Sequence, residues 1–179
     1  MFYMFLADGF EETEALATLD VMRRAGLNVQ TVGVTGDFVT GSHNIIVKSD
    51  IDFDKISMTD IEGAVLPGGM PGTTNLESDS RVIDCVKYCF DNNKIVAAIC
   101  AAPSILGHLG MLKGKKATCF PGFESSLEGA EHTGAHAEAD GNVITGKGAG
   151  CAIEFGYEIV KKAVSKEIAD KVISDMQCI

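Results

Sequence analysis

The chain has 179 residues, 46% of them apolar, and a net charge of −10 spread along its length. That size and composition predict one globular domain, residues 1–179, with a substantial core, and exclude disorder. The lack of a basic block argues against nucleic acid or an anionic membrane as a partner, and no apolar run approaches membrane-spanning length.

The opening "MFYMFLADGFEE" lacks a basic n-region and a small-residue cleavage site, so it reads as a first strand over residues 2–7 and not as a signal peptide. "EETEALATLDVMRRAG" has helical periodicity, with Gly26 as its stop. Residues 28–34 form a second strand, and "GDFVTGSHNIIVKSD" predicts two extended pieces around Gly41, an edge hairpin. "GAVLP" (63–67) is a third main strand, running into the glycine-rich loop "GGMPGTTN". An amphipathic helix follows over 78–92, then a strand over 94–99 and a helix in "AAPSILGHLG" that stops near Gly110. Residues 115–120 read as a strand, and "AHAEADGNVITG" as a hairpin turning at Asp140 and Gly141. "GCAIEFGYEIVKKAV" and "KEIADKVISDM" are closing helices.

The main strands are continuous apolar runs alternating with helices. This pattern predicts an α/β fold with a mostly parallel sheet covered on both faces. In such sheets ligands bind beyond the carboxyl ends of the strands, which directs attention to the loops "DGFEE", "GGMPG" and "CAAP".

The six cysteines (Cys85, Cys89, Cys100, Cys119, Cys151 and Cys178) show no disulfide-framework spacing and no CxxC pair. Reduced thiols and a cytoplasmic location are therefore expected. Cys85 and Cys89 are four apart on a helix and face the core.

Cys100 differs, because Pro103 can stand only in a first helical turn. The sulfur then sits at a strand-to-helix junction, at a helix N-terminus that favours an anion, and its pKa is expected below the free value of about 8.5. The competing reading is a small buried core residue. The paired glycines of "LPGGMPG" supply possible oxyanion donors, the N–H of Gly69 together with that of Ala101. On a helical wheel Glu12 falls on the polar side, whereas Glu11 and Glu14 fall in the apolar sector. Glu11 is placed to cap. Glu14 points inward, where burial raises a carboxyl pKa and suits it to acid–base work beside the thiol. Cys151 opens a helix and is expected to share some lowering. His132 and His136 in "EHTGAH" have zinc-helix spacing, but Gly134 lies between them and a strand follows, so no metal is assigned. No nucleotide-binding P-loop occurs.

Taken in order, "ADGFEETEA", "VLPGGMPG", "AAICAAPSIL" and "GAGCAIEF" resemble motifs of the ThiJ/PfpI superfamily, in the branch of the parkinsonism-associated deglycase. The resemblance spans nearly the whole chain. It implies a flavodoxin-like three-layer sandwich with a nucleophile elbow, and a homodimer. Within it Cys100 matches the elbow cysteine, Glu14 the protonated glutamate that contacts it, and Gly69 and Ala101 the backbone donors.

The implied activity is a cofactor-free glyoxalase or deglycase acting on a small aldehyde or ketoaldehyde such as methylglyoxal. The alternative is a redox sensor or protective protein whose cysteine oxidises to sulfinate. Relatives are also associated with thiazole monophosphate biosynthesis. Ala101 stands where the superfamily's peptidases carry a histidine, which removes peptide hydrolysis by that dyad. Phe120 occupies a further position held by histidine in some members, leaving His132 or His136 as accessory candidates.

Overall fold

The computed structural model describes residues 1–178. In chain order the strands are β1 (Phe2–Leu6), β2 (Val29–Gly33), β3 (Phe38–Thr40), β4 (Ile46–Lys48), β5 (Ile51–Asp52), β6 (Gly63–Leu66), β7 (Ile95–Ile99), β8 (Lys116–Ala117), β9 (Glu131–His132), β10 (Ala137–Asp140) and β11 (Val143–Gly146). The helices are α1 (Glu12–Arg24), α2 (Gly72–Ser78), α3 (Ser80–Asp91), α4 (Pro103–His108), α5 (Ala152–Ala163) and α6 (Lys166–Asp175).

Seven strands form the main sheet in the order β10-β11-β7-β6-β1-β2-β5. All pairs are parallel except the β10–β11 hairpin at one edge. Each strand alternates between two apolar layers. Phe2, Met4 and Leu6 of β1 pack with Ala15, Met22, Phe155 and Ile159 of α1 and α5. Tyr3 and Phe5 point the other way, into a layer that holds Val82, Val86, Ile105 and Leu106 of α3 and α4. The result is the predicted three-layer α/β sandwich.

The order β2-β1-β6-β7-β11 is that of flavodoxin-like sheets. Its direction reverses between β1 and β6. The loops leaving those strands separate there and open a crevice, and the turn after β7 lies beside it.

Local differences from the sequence reading have local causes. The "KATCF" strand shrinks to Lys116–Ala117, paired with β9 in a small separate sheet. Beyond it, Thr118 donates its N–H to a side-chain atom of β11, Thr145 Oγ1, instead of to a backbone carbonyl. The segment read as the loop "GGMPGTTN" contains α2, hidden because glycine and threonine carry no helical periodicity and only Leu76 supplies a large core side chain. The β3–β4 hairpin forms as expected but as its own two-stranded sheet, and the short edge strand β5 follows it.

Candidate active site

The elbow starts from β7, whose five residues are all buried. The chain leaves the strand at Cys100 with φ of 66°, the left-handed region that a residue with a Cβ adopts at a cost of roughly 1–3 kcal/mol. Both flanks over-determine the turn. Cys100 donates its N–H to Gly146 O and accepts one at its carbonyl from Phe120, each at 2.9 Å. Ser104 Oγ donates to Ala101 O at 2.7 Å. Pro103 is the first residue of α4, as the missing N–H predicts. The half-buried Cys100 side chain is thereby held at the carboxyl end of the sheet.

Two further loops close on it. Glu11 caps α1, accepting the N–H of Glu14 at 2.7 Å, and donates its own N–H to Gly68 O at 2.9 Å. Gly68 in turn donates to Glu14 Oε2 at 2.9 Å. A Cβ at Gly68 would stand 2.6 Å from the Cys100 Cβ and 2.7 Å from Glu14 Oε2, so only glycine lets these groups meet. Gly69 has φ of 87° and passes close to the backbone of Gly9 and Glu11, which again leaves no room for a side chain. Gly68 is the functional residue missed from sequence. The signal was present in the paired glycines, but the partner, Glu14, lies 54 residues away.

Glu14 is 1% exposed. Its Oε1 is buried without a conventional hydrogen-bond partner, and the neighbour that engages the carboxyl from the elbow is the Cys100 thiol. Burial pushes Glu14 up to about 7, against the lowering effects of Cys100 and the Gly68 N–H. The thiol moves opposite to expectation. Burial, then the charge and hydrogen bond of Glu14, push Cys100 up to about 12. The N–H groups of Gly69 and Ala101 do act on the sulfur and lower its pKa, but they are outweighed. The pair therefore carries one shared proton above pH 7: the sulfur keeps it at rest and the carboxylate is placed to take it.

Glu12 does not lie on a solvated face of its helix. It is 4% exposed because the turn of the β3–β4 hairpin folds over that side of α1. Its oxygens accept from the backbone N–H of His43 and Ile45, from Ser42 Oγ and from the His43 ring. Burial alone would raise this carboxyl. The His43 ring and the surrounding backbone N–H groups outweigh it and hold Glu12 at about 2. Glu12 is thus a charged brace for the hairpin, unlike the proton-holding Glu14 two residues on.

Cys85, Cys89 and Cys119 are packed in the apolar core. Cys85, Cys89, Cys119 and Cys151 are buried, and burial raises all four instead of lowering Cys151 as its helix position suggested. His132 is exposed on β9, and His136 Nδ1 lies 3.1 Å from Glu154 Oε1. Among the described residues, neither histidine makes a hydrogen bond or ion pair with Cys100 or Glu14.

An elbow cysteine facing a buried glutamate at the switch point of a flavodoxin-like sheet defines a DJ-1/PfpI-type protein. A model of the DJ-1/PfpI family matches residues 2–162, and the chain belongs to that family. It is 32% identical over 172 residues to protein dj-1beta of Drosophila melanogaster, covering 94% of this chain and 92% of that one. It is 36% identical over 164 residues to DJ-1 homolog B of Arabidopsis thaliana, covering 90% of this chain but only 37% of that longer protein. The crystal structure of Drosophila DJ-1beta superposes with a TM-score of 0.91 at 31% identity, covering 98% of this chain and 96% of that one. Oxidized Toxoplasma gondii DJ-1 reaches a TM-score of 0.93 at 27% identity, covering 98% and 97%.

Proposed function

We propose that this protein is a cysteine-dependent, cofactor-free enzyme acting on small 2-oxoaldehydes such as methylglyoxal. The observation that supports this best is Cys100, held in a strained elbow against the buried carboxyl of Glu14. Glu14 takes the thiol proton as sulfur bonds to the aldehyde carbon and the carbonyl electrons move to oxygen. The N–H groups of Gly69 and Ala101, which lower the pKa of the Cys100 thiol, serve as donors to that oxygen. Glu14 returns that proton to the oxygen, which completes a hemithioacetal and frees its carboxylate. Glu14 then removes the hydrogen on the former aldehyde carbon, and a proton returns to the adjacent carbon through an enediol. The aldehyde carbon has been oxidised and the ketone carbon reduced, leaving a thioester of lactate. Water cleaves the thioester and restores the thiol, so the net reaction is methylglyoxal plus water to lactate.

Purified protein incubated with methylglyoxal is expected to form lactate without glutathione, with turnover lost in Cys100→Ser. Full turnover in that variant would end the proposal. A second reading, a redox sensor, is favoured by one feature: Cys100 is half-exposed among thiols that are mostly buried, beside groups able to hold sulfinate oxygens.

A further inference from the structure

A second group of chemically able side chains lies outside the pair just described. Cys151 ends a single 3-10 turn and caps α5, and Glu154 follows three residues later on the first turn of that helix. His136 reaches the same place from the segment before β10. Its Nδ1 lies 3.1 Å from Glu154 Oε1, and one donor atom from each of the three residues falls within 4.8 Å of the others. Cys151 is 9% exposed, while the side chains of His136 and Glu154 are 66% and 54% exposed.

We propose that His136 Nδ1, Cys151 Sγ and a carboxylate oxygen of Glu154 form a zinc site with water as the fourth ligand. The donor set selects the ion. Calcium and magnesium require mostly oxygen ligands, and here there is a single carboxylate. One sulfur, one imidazole nitrogen and one carboxylate oxygen suit a borderline-soft dication that accepts four ligands. Ideal tetrahedral bonds put neighbouring donors about 3.3–3.5 Å apart. The histidine–glutamate separation is already close to that, and rotation of two exposed side chains closes the remaining distance to sulfur.

The backbone on both sides is fixed. Lys147 donates its N–H to His136 O at 2.9 Å, and Ala137 is in register with Gly146 across the hairpin. Lys147 is the nearby cation, and its Nζ is drawn off by Gly134 O at 3.3 Å. On binding, zinc replaces the thiol proton, which passes to solvent. The thiolate and carboxylate then balance the dication.

The metal-free, reduced protein is titrated with zinc chloride against a chromophoric chelator, and with cobalt(II) as a spectroscopic probe. One zinc per chain and a thiolate-to-cobalt charge-transfer band are expected, both retained in Cys100→Ser and Cys178→Ser. His136→Ala, an exposed change that spares the fold, and Cys151→Ser should each weaken zinc by more than the roughly 10–100-fold lost when only a supporting group is removed. Wild-type affinity in either variant, loss of zinc in Cys100→Ser, or no measurable binding at all would overturn the site.

Discussion

Cys100 and Glu14 set the pH behaviour together. The productive state holds one proton across the pair, and below about 7 the carboxyl takes up a second and can no longer accept from sulfur. Its folded pKa is raised, so the ionised form is lost as pH falls through that value. For the proposed reaction, kcat/KM should rise with pH through about 7 and then level off. Glu14→Gln should abolish that limb and lower kcat by about 10²–10⁴-fold, as expected for loss of a general base. A rate profile with an unchanged limb in Glu14→Gln would assign the proton transfer elsewhere. The wheel already turned Glu14 inward, and Pro103 already put Cys100 at an elbow. The rise at Glu14 was legible, but its size and the sign of the shift at Cys100 were not, because desolvation comes from β6, β7 and α1 closing together.

At the scale of elements, the site depends on how tightly α1 docks. Thr18 Oγ1 donates to Ala152 O at 3.2 Å, so α1 touches the backbone of α5. A Cβ at Gly156 would lie 2.9 Å from the Val21 Cβ. Gly156→Ala should therefore push the helices apart. Overpacking costs about 1–3 kcal/mol, against roughly 1 kcal/mol recovered from helix propensity. A lower Tm in thermal unfolding is expected, with reduced turnover because α1 carries Glu14. A rise in Tm would mean that the helices separate freely. From sequence, Gly156 is only a weak point inside a helix, since nothing local shows that Val21 packs against it. The same limit explains Glu12. A wheel sorts the faces of one helix, and the β3–β4 hairpin that buries the polar face is distant in sequence.

Across the whole molecule, the fold ranks the thiols. Four of the six cysteines are buried, Cys178 is exposed, and Cys100 alone is half-exposed with a carboxyl beside it. If the sensor reading holds, mild peroxide on a Cys178→Ser background should add two oxygens selectively at Cys100. The selectivity should disappear in Glu14→Leu, as read by mass spectrometry. Oxidation spread evenly over the buried thiols would reject the sensor.

Most element types, the two-faced parallel sheet and the elbow were legible in the sequence, α2 excepted. Apolar runs, proline without its N–H and glycine stops act within a few residues. Packing set which loops meet, that Gly68 serves Glu14, that Cys100 is raised instead of lowered, and that His136 lies near Cys151 and Glu154. Those outcomes depend on burial and on short distances between residues far apart in the chain, which no local pattern encodes.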